Sequence, residues 1–241
     1  MGETGQSTGD QVPVLIVGGG PIGLALAADL GRRGIRVLLI EQNGDKVGAP
    51  KMLEVGMRTM ELCRQLGVAG EVREWGFPSD RPLDSVFVTD MQGYELGRVR
   101  TPSLGSGSSS PHSPERTRPC PQTWFDPILQ RRARSFPHVE LLYRTRLEDF
   151  EQDANGVTAT LRDTETGKTE RIRAAYLIGC DGFSSTVREL LGIEIRGEKQ
   201  IDWSMTIYLR IPDLRAYHDK GDAVRYVYVG PAGTWSFLST I

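Results

Sequence analysis

Apolar and polar residues alternate along this chain in two rhythms, and each change of rhythm marks an element. Val14-Leu15-Ile16-Val17 is an unbroken apolar run, as expected of a strand buried on both faces. A helical pattern runs from Leu24 to Arg33 and stops at Gly34; Ile35 to Ile40 is a second apolar run, ending at Glu41. Lys51 to Leu66 places Met52, Val55, Thr59, Leu62, Cys63 and Leu66 at helical spacing, with Gly67 as C-cap. In that pattern Met52, Met57 and Met60 read as core packing. From Arg81 to Arg100 the rhythm becomes alternation, with Val86 and Val88 before a turn at Met91 to Tyr94, and Leu96 and Val99 after it. Two paired strands are expected there. Trp124 to Ala133 predicts a helix with Asp126 as N-cap and Pro127 in its first position. Val139 to Tyr143 reads as a strand. Arg146 to Glu151, Gly156 to Arg162 and Lys168 to Arg173 form an up-and-down meander, turned at Asn155-Gly156 and Thr166-Gly167. Ala175 to Ile178 is one more buried strand. The fold class is α/β: a doubly wound, Rossmann-like sheet with an inserted three-stranded meander.

The first turn carries chemistry. Gly18-Gly19-Gly20-Pro21-Ile22-Gly23 fits G-x-G-x-x-G between a strand and a helix. Gly18 allows the tight turn, Gly20 lets backbone amides approach a pyrophosphate, and Gly23 lets helix and strand pack closely. The helix start adds unpaired N–H groups and partial positive charge for that pyrophosphate. Glu41 ends the second strand, where a carboxylate accepts from ribose hydroxyls and disfavours a 2′-phosphate. FAD or NAD suits this site better than NADP.

Composition removes several function classes. The 241 residues include 29 basic and 31 acidic ones, a net charge of −2, so no nucleic-acid or anionic-membrane surface is expected. The cluster Gln130-Arg131-Arg132-Ala133-Arg134 reads as a solvated helix face. Met1 to Val12 is a polar, disordered tail and resembles no targeting peptide. Cys63, Cys120 and Cys180 are too scattered for a disulfide framework or a zinc site, and no metal is expected. The cytoplasm is the natural compartment. His112, His138 and His218 are expected at the surface. Thr101 to Pro121 holds six Ser, five Pro and two Gly without an apolar period, so a mobile excursion or a lid is expected there.

The last buried strand runs into Gly179-Cys180-Asp181-Gly182-Phe183-Ser184-Ser185-Thr186-Val187-Arg188. A strand, an Asp-Gly turn and a helix place Asp181 at the carboxyl edge of the sheet, where open α/β folds bind ligands. Paired with the Gly-rich turn and Glu41, this segment resembles the FAD-dependent aromatic hydroxylases, the single-component flavoprotein monooxygenases, and most of all their phenol and chlorophenol hydroxylase branch. Arg58-Thr59-Met60-Glu61 with Leu66-Gly67, and Pro121-Gln122-Thr123 before Pro127-Ile128-Leu129, are similar to two further family segments.

The resemblance implies FAD as cofactor, NAD(P)H as co-substrate, and O₂ and a small aromatic compound as partners, with a homo-oligomer possible. The implied reaction is hydroxylation of a phenol after NAD(P)H has reduced the flavin. By position, Gly18, Gly20 and Gly23 would hold the pyrophosphate and Glu41 the AMP ribose. Gln42 would lie near adenine, with Gln122 and Asp181 on the ribityl-pyrophosphate portion. Lys51 stands where many members carry an Arg near the flavin. Residues 13–79 and 119–190 would form the FAD-binding domain, and 80–118 with 191–241 the beginning of a β-sheet substrate domain. A second flavin-contacting Gly-Asp segment is missing: Gly221-Asp222 leads into a strand. The chain therefore reads as about half of a hydroxylase, C-terminally truncated. No catalytic base stands out. Arg225, Tyr226 and Tyr228 lie on a strand that would line a substrate pocket or simply pack in a sheet, with Tyr226 and Tyr228 sharing one face. A non-hydroxylating flavin oxidoreductase and a catalytically silent nucleotide binder are the alternative functions.

Overall fold

The computed structural model describes residues 11–48, 50–106, 111–198, 201 and 203–241. Most of the expected N-terminal tail, residues 1–10, lies outside the described residues. The chain divides into two units, one made of residues 1–50, 64–68 and 122–203, the other of 51–63, 69–121 and 204–241.

The first unit is built on a six-stranded sheet. It contains β1 (Val12–Val17), β2 (Val37–Glu41), β7 (Val139–Tyr143), β8 (Thr145–Asp153), β9 (Gly156–Asp163) and β10 (Thr169–Gly179), in the order β7-β2-β1-β10-β9-β8. Strands β7, β2, β1 and the second half of β10 run parallel, with Val14 opposite Val37 and Tyr176. The apolar runs of β1 and β2 are buried on both faces, as central parallel strands require, whereas β7 is mostly half-buried and Tyr176 of β10, expected in a buried strand, is exposed. On one face Leu15, Val17, Leu38 and Ile40 join Leu147, Ala159, Leu161 and Val187 in a single core cluster. Helix α1 (Pro21–Arg32) buries Leu24, Ala27 and Ala28, and helix α4 (Gln122–Arg134) buries Phe125, Ile128, Leu129 and Ala133. The two helices pack together. A Cβ on Gly31 would lie 2.7 Å from both Phe136 and Val139, so the α1 surface must be bare there.

Two expectations change in this unit. The meander and the final strand are not separate elements: β10 is one strand, antiparallel to β9 over Thr169 to Ala174 and parallel to β1 from Ala174 to Gly179. Arg173-Ala174-Ala175 contains no turn residue, so nothing breaks it. Helix α4 begins at Gln122, and Pro127 lies inside it. Asp126 caps nothing, because Pro121 already sets the entry; its carboxylate instead accepts from Gln122 Nε2 one turn earlier, at 2.9 Å.

The second unit carries a four-stranded sheet of order β12-β11-β4-β5, from β4 (Ser85–Val88), β5 (Glu95–Val99), β11 (Arg225–Gly230) and β12 (Gly233–Ser239). Strand β4 pairs antiparallel with β5, as its alternation predicts, and parallel with β11. A two-stranded ribbon joins β3 (Glu54–Val55) to β6 (Arg118–Pro119). The periodic stretch from Lys51 is therefore not all helix: β3 comes first, Gly56 follows, and α2 (Met57–Leu66) starts only then. Gly67, at φ +77°, ends α2, and α3 (Ala69–Glu74) follows. Of the methionines Met60 is fully buried, whereas Met57 is exposed.

The Ser/Pro-rich segment is tied down where it is described. Arg116 donates to the carbonyls of Pro102, Ser103 and Leu104, Ser113 donates to Glu61 at 2.7 Å, and buried Glu115 pairs with Arg73. Polar anchors hold it, which an apolar period cannot reveal. Histidines depart from expectation similarly: His138 is half-buried with Nε2 2.8 Å from Gly31 O, and half-buried His218 stands edge-on to Tyr226 at 4.9 Å. His112 is exposed.

Candidate functional site

Strand β1 lies between β2 and β10, so the loop that leaves it is flanked by the ends of both neighbours. Gly18 N–H donates to Ile40 O at 2.8 Å, and Cys180 N–H donates to Val17 O at 2.7 Å. These bonds clamp the turn between its two neighbours at the carboxyl edge of the sheet, where the strand order changes direction. Gly18 has φ +111°, and a Cβ there would run into the carbonyl of Cys180. A Cβ on Gly23 would overlap the carbonyl oxygen of Gly18. Gly20 has open space instead, and as N-cap of α1 it supplies no side-chain acceptor for the helix N–H groups. Open space above uncapped amides suits a pyrophosphate.

Glu41 is fixed rather than free to sweep. Its Oε2 accepts from Gly19 N–H at 2.8 Å, and its Oε1 accepts from both the backbone and side-chain nitrogens of Asn43, each at 2.8 Å. Each carboxylate oxygen has further lone-pair capacity for a ribose hydroxyl. Gly19, a position the motif leaves unspecified, is required for this arrangement, because a Cβ there would lie 2.7 Å from Glu41 Cβ. The signal lies in two residues 22 apart, so local spacing does not expose it.

Asp181 organises the other flank. One oxygen accepts from Ser185 Oγ at 2.6 Å and the other from Val187 N–H at 3.1 Å, while Ser185 caps α5 (Thr186–Leu190) through Arg188 N–H. Burial pushes the neighbouring Cys180 thiol up, and Asp181 adds to the effect, so the thiol stays protonated. Gln42 follows Glu41 on an exposed turn, and its carbonyl accepts from Thr164. Gln122 opens α4 in the same unit. Lys51 belongs to the second unit.

The second unit has a cavity of about 360 Å³ lined by Leu53, Glu54, Arg225, Val227 and Phe237. Three of these side chains are apolar. Arg225 Nη2 lies 3.4 Å from Glu54, and its guanidinium sits 5.9 Å from the centre of the Phe237 ring. Alternation along β11 puts Arg225 and Val227 on the cavity side. Tyr226 faces the other way, into the core with Val86 and Val88, and donates to Gly221 O at 2.6 Å. Tyr228 packs beside that core. Arg225 lines this cavity, whereas Tyr226 and Tyr228 pack in the sheet core.

The family model for the FAD binding domain matches residues 11–238. The chain belongs to this family. Among family relatives it is 36% identical over 224 residues to tetracenomycin A2 monooxygenase-dioxygenase of Streptomyces glaucescens, which covers 86% of this chain and 38% of that protein. It is 31% identical over 224 residues to 2,4-dichlorophenol 6-monooxygenase of Cupriavidus pinatubonensis, covering 92% and 37%. The solved structure of K252c-soaked RebC aligns with a TM-score of 0.77 at 35% identity, covering 92% of this chain and 43% of that one. The chain thus spans about two-fifths of the length of these relatives. It is an FAD-binding, monooxygenase-family α/β chain, in agreement with the sequence resemblance. Among the described residues no His, Cys, Asp and Glu cluster could hold a metal ion, and no helix is long and apolar enough to cross a membrane.

The geometry around Glu41 sets an expected result. Glu41→Ala removes the acceptor of Gly19 N–H together with the expected partner of the ribose. FAD affinity should fall by about 1–3 kcal/mol, a Kd about fivefold to 150-fold weaker in fluorescence titration. An unchanged Kd would remove Glu41 from the cofactor site.

Proposed function

We propose that this chain is the FAD-binding part of an aromatic hydroxylase that uses NAD(P)H and O₂ to place a hydroxyl group on a phenolic ring. The observation that carries this reading is the convergence of the Gly18–Gly23 turn, Glu41 and Asp181 at the carboxyl ends of β2, β1 and β10. FAD, when bound, supplies the redox chemistry and the activation of O₂. The chain's own residues bind and orient it. The α1 amides receive the pyrophosphate, Glu41 accepts from the ribose, Gln42 lies toward adenine, and Gln122 and Asp181 serve the ribityl side. Lys51 keeps the flavin-side role that the resemblance assigns to it. The balance of the reaction is one ring C–H converted to C–OH, one water formed, and one NAD(P)H oxidised.

The cavity of the second unit is the proposed seat of the substrate ring, with Leu53, Val227 and Phe237 against its faces and Arg225 toward its oxygen. Relatives that act on dichlorophenol and on tetracenomycin A2 support an aromatic substrate. The proposed compartment is the cytoplasm.

The test is incubation with FAD, NAD(P)H and labelled O₂ across a panel of phenols and fused-ring phenols, followed by mass spectrometry. Label in a hydroxylated product supports the reading; NAD(P)H oxidation without product for every aromatic would point to a non-hydroxylating flavin oxidoreductase. Arg225→Gln should raise KM for the accepted phenol about tenfold, one charged hydrogen bond's worth, while leaving FAD affinity unchanged. An unchanged KM would place the ring elsewhere.

A further inference from the structure

One buried acid in the first unit remains without a job. Asp126 is only 2% exposed, in the second turn of α4. Its Oδ2 accepts from Gln122 Nε2, but its Oδ1 is buried with no hydrogen-bond partner. An ionised carboxylate left half-satisfied inside a protein is costly, and proteins retain one where it changes state or meets a ligand. Burial pushes Asp126 up to about 6, with Gln122 opposing and Glu41 adding to the rise. Glu41 stands at the end of β2, and Tyr143 at the end of β7 is paired in register with it. The Tyr143 hydroxyl is itself buried without a partner, and burial pushes it up to about 12. Arg134 lies over the Tyr143 ring at 5.6 Å, and Asp45 also bears on that hydroxyl. Three carboxylates, Glu41, Asp45 and Asp126, thus share a neighbourhood with Arg134, and Asp45 also meets the charge of Arg144.

We propose that Asp126 is a positioning residue that takes up a proton when FAD binds, holding the Gln122 amide in one orientation while removing a negative charge from beside Glu41. The inference rests on the cofactor site described above. FAD brings a doubly charged pyrophosphate onto the Gly18–Gly23 turn, which Glu41 touches through Gly19 N–H. The added negative charge disfavours a second carboxylate beside Glu41 and favours its acid form. A proton placed on Oδ1 leaves Oδ2 as the acceptor for Gln122 Nε2, so the amide keeps its orientation through the change. The balance is simple: one proton passes from solvent to Asp126 for each FAD bound, and no bond other than O–H forms.

The test uses the whole 241-residue chain. FAD Kd is measured by fluorescence between pH 5.5 and 7.5, and calorimetry in buffers of different ionisation enthalpy counts the protons taken up. The parent should bind FAD about tenfold more tightly at pH 5.5 than at pH 7.5, with net proton uptake, because the bound state holds the proton at higher pH than the free one does. Asp126→Asn should abolish both the slope and the uptake. Glu41→Ala should weaken binding at every pH while keeping part of the slope.

A second readout needs no FAD. Asp126 is raised in the folded state above its unfolded value of 3.8, so its contribution to stability is complete below that value and lost as pH rises through about 6. The denaturation midpoint of the parent should therefore fall, relative to Asp126→Asn, as pH rises from 3.8 to about 6, and level off above that. Asp126→Asn with the parent's pH slope in FAD binding, or parent and variant with parallel stability profiles, overturns the proposal. Failure of the parent to bind FAD at any pH overturns the cofactor site itself, and a normal stability difference in that case would show that Asp126 titrates for another reason.

Discussion

Gly23→Ala should abolish measurable FAD binding and lower the thermal midpoint of the chain. The added methyl would have to occupy the position of the Gly18 carbonyl oxygen, and that oxygen belongs to the backbone, so no rotamer change relieves the overlap. Either α1 tilts away from β1 or the Gly18 peptide rotates, and both undo the clamp made by Gly18 N–H on Ile40 O. The α1 face buries Leu24, Ala27 and Ala28, so a tilt also opens the core. A destabilisation of about 2–4 kcal/mol is expected, in the range of overpacked buried sites combined with a lost backbone bond. FAD affinity should fall at least a hundredfold. Gly20→Ala is the internal comparison. A Cβ at Gly20 meets no atom within 4 Å, so that variant should fold normally and lose FAD affinity only through crowding of the ligand. If Gly23→Ala binds FAD as the parent does, the turn does not have the role assigned here.

Asp181→Ala should be nearly as damaging and for a different reason. Its two carboxylate oxygens hold Ser185 Oγ and Val187 N–H, and Ser185 in turn caps Arg188 N–H. Removing Asp181 therefore releases the turn, the cap and the second helical amide of α5 together. Val187 would lose its place against Gly179, where it closes the end of the core cluster. Two charge-assisted hydrogen bonds are lost, so a stability decrease of about 2–3 kcal/mol and a tenfold or larger loss of FAD affinity are expected. Asp181→Asn keeps one acceptor and should show an intermediate loss in both measurements. Equal denaturation curves for Asp181→Ala and the parent would remove its organising role.

The parts legible in the sequence were those in which function and backbone share one short window. The Gly18–Gly23 turn, Glu41 and Asp181 each sit at the end of an apolar run, so strand, turn and polar residue announce one another. The paired strands around Met91 were legible from the turn and from β4, where alternation matches the burial of Val86 and Val88, although Leu96 and Val99 of β5 are exposed; the strand from Val139 was legible as a short apolar run. What was hidden depends on contacts between distant residues. Gly19 matters only because Glu41 folds back on it. The start of α4 was misplaced because Asp126-Pro127 imitates a helix start, while the side chain of Asp126 is committed to Gln122. The Ser/Pro-rich segment lacks apolar signals, yet Arg116 and Glu115 tie it down through charge. Pocket lining and sheet packing stayed open for Tyr226 and Tyr228, because alternation shows which residues share a face but not which face meets a cavity; the structure packs both in the sheet core.

Strand β10 has a consequence for what evolution or engineering can alter. Because it passes without interruption from the antiparallel hairpin with β9 into the parallel pairing with β1, the outer hairpin and Asp181 are in mechanical series. A residue added at the Thr166-Gly167 turn would lengthen a loop and leave the cofactor side in place. The same residue added near Ala174 would advance the far half of the strand by about 3.3 Å and turn every following side chain to the opposite face. The hairpin thus works as a vernier: its pairing holds the position of an acid more than ten residues away.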